Sequence, residues 1–258
     1  MRKSICWGVA LVLAGWTMVA GPAAHAVTTV IPLAANPDAW DPASAFQVGN
    51  LDFWVASCSI SDASKGLSGA SCDGQGLQLV GTSTNPENAS VTIESATSGG
   101  HIFNIGPSQL PVGNDTYDLS LQLDVTTVAC ADSGFTDCPS AIKSDAISLT
   151  GSATNPADDQ YVTAGESITL GSGNPVPELQ ASLANPIDTA KFSPAEQFLL
   201  AQKDIGDELS HITGPVTIDR VTQSFGVVPE PASVGVFLVS LIALGATRRR
   251  NNRTSSLS

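Results

Sequence analysis

The chain has 258 residues, of which 24 are acidic and 11 are basic, so its formal net charge is −13 at pH 7. The charge is uneven. Between Val27 and Val228 lie 23 acidic and only five basic residues, which gives that segment −18. A surface this acidic repels phosphate backbones and argues against nucleic-acid binding. The segment is long enough to bury a hydrophobic core.

The N-terminus has the pattern of a secretory signal peptide. Two basic residues precede an apolar stretch over residues 7–21, which is too short and wrongly flanked for a stable membrane span. Ala24 and Ala26 supply the small side chains that signal peptidase recognises at positions −3 and −1. The sequence therefore predicts that residues 1–26 are removed and that the mature chain starts at Val27.

Four cysteines remain after this cleavage: Cys58, Cys72, Cys130 and Cys138. An even number of cysteines in an oxidising compartment favours disulfides over free thiols. Three connectivities are open, and proximity along the chain favours Cys58–Cys72 and Cys130–Cys138. A zinc site is disfavoured because no C-x-x-C pair is present and histidine is scarce.

Residues 27–226 are rich in short segments that alternate apolar and polar side chains. The clearest runs from Tyr117 to Thr126 and places Tyr117, Leu119, Leu121, Leu123 and Val125 on one face. Further strand candidates are residues 51–55, 77–80, 90–94, 101–105, 146–150, 167–170 and 216–221. Half-buried strands separated by Gly, Pro and Asn predict a mainly β fold, an antiparallel β-sandwich-like domain.

One segment predicts an amphipathic helix packed on the sandwich. Ser193 to Glu196 has the form of a capping box, with a proline at the first helical position. Phe198, Gln202, Ile205, Leu209 and Ile212 follow at helical spacing.

No motif identifies an enzyme. After signal removal only His101 and His211 remain, and no nucleophile elbow, zinc-protease pair or phosphate loop is present. We therefore predict no catalytic residues and favour a non-enzymatic protein. A secreted hydrolase acting on polysaccharide stays open as an alternative, because many carboxylate pairs are available for glycoside hydrolysis.

Two acidic segments raise the alternative of a calcium-dependent glycan-binding module. They are Asp132–Asp137, between two cysteines, and Asp158–Asp159, after an Asn-Pro turn. Ca²⁺ takes six to eight oxygen ligands from flexible loops, but neither segment matches an EF-hand or a Gly-Asp repeat. We expect solvated turn residues and no cofactor, with Ca²⁺ as the one candidate ion.

Four aromatic residues lie near the start of the mature chain: Trp40, Phe46, Phe53 and Trp54. Aromatic faces stack on sugars, but they also fill cores. The run Leu51–Val55 has the pattern of a core strand, so we expect packing and not a sugar platform.

The C-terminal region, residues 227–258, contains Pro229-Glu230-Pro231, an apolar run over residues 232–246 and the cluster Arg248, Arg249 and Arg250. The arginine cluster predicts a cytoplasmic C-terminus with the preceding chain outside the inner membrane. These three parts, in this order, resemble the PEP-CTERM sorting signal. The resemblance covers about 25 residues and implies an address, not an activity.

The resemblance implies a membrane exosortase that recognises the tail and cleaves near the Pro-Glu-Pro motif. The expected processing partners are signal peptidase and this exosortase. The hydrophobic helix would anchor the precursor in the inner membrane, and the mature product would reach the cell envelope or the extracellular matrix. We expect a structural or adhesive role there, with extracellular polysaccharide as a candidate partner.

Overall fold

The computed structural model describes residues 27–34, 45–85, 87–113, 116–128, 141–171, 176 and 178–228. The strands in these ranges are β1 (Val27–Pro32), β2 (Phe46–Val48), β3 (Leu51–Asp62), β4 (Leu67–Ser71), β5 (Leu77–Asn85), β6 (Asn88–Ser95), β7 (Phe103–Ile105), β8 (Tyr117–Thr127), β9 (Ala141–Ala153), β10 (Thr163–Leu170), β11 (Leu179–Ser182), β12 (Ile187–Glu196), β13 (Phe198–Ile205) and β14 (Val216–Val228). Short 3-10 helices span Ala63–Lys65, Pro107–Gln109, Pro156–Asp158 and Asp207–His211.

The strands form two antiparallel sheets that face each other. The first sheet has the order β1-β5-β6-β14-β9-β12, with β7 also paired to β14. The second has the order β11-β10-β13-β8-β3-β2, with β4 paired to β3. This arrangement confirms the prediction of a mainly β, antiparallel, sandwich-like domain.

The core lies between the inner faces of the two sheets. In β8 the predicted apolar face is buried, and each of its five residues is at most 1% exposed. Aromatic contacts join the sheets: the ring centroids of Phe53 and Phe225 are 5.4 Å apart, and those of Phe103 and Tyr117 are 5.9 Å apart. Strands with alternating apolar and polar residues bury one face of each sheet, and the two buried faces pack against each other.

The aromatic residues near the mature N-terminus belong to the packing of the second sheet, as predicted. Phe53 and Trp54 are buried, and Phe46 stacks on Phe53 with ring centroids 5.3 Å apart. Trp40 lies outside the described residues.

The predicted amphipathic helix after Ser193 is wrong. Residues 187–205 form β12 and β13, and only Asp207–His211 is helical, as one 3-10 turn. The burial of β13 has period 2, since Leu199, Ala201, Lys203 and Ile205 point inward. Lys203 is a charged residue in an inward position, so it interrupts the alternation of apolar and polar residues in β13. The residues from Phe198 to Ile212 match helical spacing only by coincidence.

Gly206 directly follows β13, and its backbone conformation explains why the chain turns there. Its φ is 104°, in the left-handed region that favours glycine. A Cβ atom at this position would lie 2.4 Å from the carbonyl oxygen of Tyr117. A glycine is therefore required here by its left-handed conformation and by the close approach of the chain to β8.

Candidate functional sites

The residues predicted for processing lie outside the described part of the chain. They are Ala24 and Ala26 in the signal peptide, and Pro229, Glu230, Pro231, Arg248, Arg249 and Arg250 in the tail. The neighbouring strands are described: β1 starts at Val27 and β14 ends at Val228, next to Pro229.

One of the two expected disulfides falls within the described residues and is confirmed. Cys58 on β3 and Cys72 after β4 are bonded, with Cα atoms 5.6 Å apart. The bond closes the β3–β4 hairpin at one end of the second sheet. Cys130 and Cys138 lie outside the described residues, and so does the acidic segment Asp132–Asp137 between them.

A polar cleft of about 460 Å³ opens at one end of the first sheet. Gln78 on β5, Glu94 on β6 and Arg220 on β14 contribute to it from three neighbouring strands. The Ser/Thr/Gly-rich loop of residues 95–100 forms a further wall. Sheet order therefore brings together side chains that are far apart in the sequence.

A hydrogen-bonded pair of His101 and Asp219 lies in this cleft. His101 Nδ1 is 2.6 Å from Asp219 Oδ1, and each side chain is 34% exposed. Gln78 Nε2 donates to Glu94 Oε1 at 3.0 Å. The cleft thus offers cationic, anionic, amide and hydroxyl groups together, a set that suits a ligand rich in hydroxyl groups better than an apolar one.

The polar character continues along the outer face of the first sheet. The hydroxyls of Thr92 and Thr222 are 2.9 Å apart, and those of Thr82 and Ser90 are 2.7 Å apart. A second cleft of about 320 Å³, lined by Lys143 among others, lies at the far end of the same strands. Four residues separate the clefts along β5, β6 and β14, as from Arg220 to Ser224, so at about 3.4 Å per residue the face between them is about 14 Å long.

A cluster of four polar side chains lies in the core between the sheets. Asp145 on β9 and Gln223 on β14 come from the first sheet, and Glu166 on β10 and Lys203 on β13 come from the second. Each residue is 1% exposed. We call these four residues the buried cluster.

The buried cluster is held by direct hydrogen bonds. Lys203 Nζ donates to Glu166 Oε2, and Gln223 Nε2 donates to both Glu166 Oε1 and Asp145 Oδ2, the latter at 2.6 Å. Burial, together with the nearby charge of Glu166, raises the pKa of Asp145 well above its usual value. This raised pKa favours the protonated form of Asp145, while Lys203 and Glu166 are in direct hydrogen-bonded contact.

Asp158 organises a loop at the edge of the domain. Its carboxylate accepts hydrogen bonds from the backbone N–H groups of Thr213 and Gly214, at 3.0 and 2.8 Å, and from the Thr213 hydroxyl. These bonds tie the 3-10 turn Pro156–Asp158 to the segment before β14. The neighbouring His211 stacks on Tyr161, with ring centroids 5.2 Å apart. The expectation of a solvated turn residue is therefore wrong for Asp158, which is 1% exposed and supports a loop.

Within the described ranges, no group of three or more His, Cys, Asp or Glu side chains could hold a metal ion. The same residues include no helix with the length and apolarity needed to cross a membrane.

The sequence predicted strands at β9, β10 and β14, but it predicted a helix at β13 and did not predict the buried cluster. Asp145 stands in phase with Ile147 and Leu149, and Glu166 with Ile168 and Leu170, so alternation predicts that both acids point inward. The strand predictions began one residue later in each case and omitted them. The partner of His101 was not foreseeable, because Asp219 is 118 residues away.

Comparison of the chain with family models and with curated proteins finds no match.

Proposed function

We propose that this chain is an exported precursor whose mature β-sandwich-like domain serves as a structural or adhesive component of the cell envelope or extracellular matrix. Signal peptidase cuts after Ala26, and an exosortase acts near Pro229-Glu230-Pro231 at the outer side of the inner membrane. The hydrophobic helix anchors the precursor until that step. The protein has no enzymatic role in this proposal.

The observation that carries the proposal is the order of features in the sequence: a signal-peptide pattern before Val27, then Pro229-Glu230-Pro231, an apolar run and the arginine cluster. β1 starts at Val27 and β14 ends at Val228. β1 is an edge strand, while β14 lies between β6 and β9 and is the last strand described. The described strands all lie between the two expected cleavage points.

The composition of the described domain supports an exported location. Its Cys58–Cys72 disulfide suits an oxidising compartment. Its excess of acidic residues favours solubility outside the membrane.

The test is to map the C-terminus of the mature protein by mass spectrometry in the native host and in the same host without its exosortase. We expect the residues beyond about Pro231 to be lost only where the exosortase is present. A variant with Pro229 and Pro231 both replaced by alanine should keep its tail. The matched control, with Asn251 and Asn252 replaced by alanine, should be processed normally. An intact tail in both strains would refute the sorting proposal.

The polar outer face of the first sheet favours polysaccharide as the adhesive partner. It joins two clefts about 14 Å apart, and its charged, amide and hydroxyl groups match a chain of hydroxylated rings. The His101–Asp219 pair fixes the orientation of both side chains at one end. This binding is the second part of the proposal and does not depend on the exosortase.

Calorimetric titration of the mature protein with the host's extracellular polysaccharide tests this part. Arg220→Ala and Glu94→Gln should each weaken binding about tenfold or more, since each removes a charged hydrogen-bonding group. Gln202→Ala, on the outer face of the other sheet, should not. Equal affinity in all variants would refute the assignment. Loss of binding in EDTA would favour the calcium-dependent alternative, and shortened polysaccharide chains would favour the hydrolase.

A further inference from the structure

The buried cluster places an amine and a carboxyl group in contact inside a dry core. Glu166 and Lys203 lie directly opposite each other in the register of β10 and β13. Their side chains are 0% and 1% exposed, and the Lys203 Nζ atom donates to Glu166 Oε2. Two reactive groups held at contact distance in fixed strands react with a high effective concentration.

The other two residues of the buried cluster have different roles: Asp145 is an acid, and Gln223 holds the two carboxyl groups in place. Gln223 donates one amide group to both carboxyl groups and so holds Glu166 and Asp145 side by side. Burial and the Glu166 charge raise the pKa of Asp145, which favours the protonated form of this acid next to Glu166. A neutral acid in this position is able to donate a proton to a Glu166 oxygen.

We propose that Lys203 and Glu166 form an intramolecular amide bond, with Asp145 as the proton-transfer group. The Lys203 ammonium first gives a proton to the carboxyl groups, which leaves a neutral amine and a protonated Glu166. Lys203 Nζ then bonds to Glu166 Cδ, and the Cδ–O bond to the protonated oxygen breaks. Asp145 gives its proton to the leaving oxygen and takes one from the nitrogen. One ammonium and one carboxylate become one amide and one water molecule.

The environment of the cluster favours this reaction over a permanent ion pair. A buried ammonium and carboxylate both carry a large desolvation cost, and the reaction removes both charges at once. Desolvation also favours the neutral, nucleophilic form of a lysine amine. The core excludes the bulk water that would reverse the step.

The bond would join two neighbouring strands of the second sheet. β10 and β13 pair over seven residue positions, from Ala164↔Ile205 to Leu170↔Leu199. An amide between them closes the chain segment 166–203 into a covalent loop that contains β11 and β12. Such a link restricts the unfolded chain even where the disulfides are reduced. The link does not depend on the proposed sorting.

The test is the intact mass of the full-length wild-type protein after reduction of its disulfides. We expect a mass lower than that of the sequence by one water molecule, and a fragment in which Lys203 and Glu166 are joined. Fragment mapping is needed, because a succinimide at Asp73-Gly74 also loses one water. An unchanged mass overturns the proposal. Loss of ammonia with a Lys203–Gln223 link overturns it too, and so does a Lys203–Asp145 link.

Variants separate the roles of the residues. Lys203→Met should abolish the mass loss. Asp145→Asn should slow its appearance about tenfold or more after refolding, in line with a proton-transfer role. Lys65→Met removes an exposed lysine that pairs with the buried Asp62, away from the buried cluster, and should leave the mass loss intact. A cross-link that forms at the wild-type rate in folded Asp145→Asn would overturn the role of Asp145.

Discussion

Reduction of the Cys58–Cys72 disulfide should destabilise the domain by an amount set by the loop it closes. The two cysteines are 14 residues apart. In the chain-entropy model, a closed loop of about 15 residues contributes about 3 kcal/mol to the free energy of unfolding. Cys58 and Cys72 are 8% and 0% exposed, so reduction leaves their sulfur atoms buried and creates no cavity. For a domain of this size, the loss should lower the Tm by about 6–12 °C.

The assay compares thermal and urea unfolding with and without reductant. A variant with Cys130 and Cys138 replaced by serine isolates the described disulfide. A variant in which all four cysteines are replaced should show no effect of the reductant, which controls for other actions of the reagent. A difference below about 1 kcal/mol between the oxidised and reduced forms would refute the reasoning, because it would mean that the bond scarcely restricts the unfolded chain.

Two further predictions concern buried acids. The pKa of Asp145 is raised in the folded state, so the folded protein holds this proton to a higher pH than the unfolded chain. The stabilisation that comes from protonated Asp145 is fully present below the unfolded pKa of about 3.9. It is lost as the pH rises from that value through the folded pKa, by at most about 1.4 kcal/mol per pH unit. Urea titrations should show the stability of wild type relative to Asp145→Asn falling as the pH rises above that value; a constant difference would contradict the raised pKa. Asp158→Ala leaves two backbone N–H groups without their acceptor and should cost about 2–3 kcal/mol in urea unfolding, against about 0.5 kcal/mol or less for Asp159→Ala. Equal effects of the two alanine variants would mean that the loop does not depend on Asp158.

Alternation of apolar and polar residues was enough to predict most of the inner strands. β8 is the clearest case, because its five inward residues are all apolar and its outward residues are polar. The same rule failed for β13, where Lys203 occupies an inward position. An inward position is expected for a charged residue only when its partners are known. The groups around Lys203, Glu166 and Asp145, lie on other strands, so the sequence of β13 alone does not reveal them.

The candidate sites were harder to predict than the fold, because each combines distant segments. The cleft draws Gln78, Glu94 and Arg220 from strands that become neighbours only through the sheet order β5-β6-β14. The buried cluster needs two sheets to face each other before its four side chains meet. The disulfide was foreseeable because its two cysteines are close in the sequence and the hairpin between them is local.

The most direct test of the proposed function is the intact mass of the mature protein purified from the surface or the medium of its native host. The proposal predicts a chain that starts at Val27 and ends near Pro231, without the arginine cluster. A chain that still carries Met1 would contradict export through the signal peptide. A chain that starts at Val27 but keeps Arg248–Arg250 would contradict exosortase processing and leave an ordinary membrane anchor in its place.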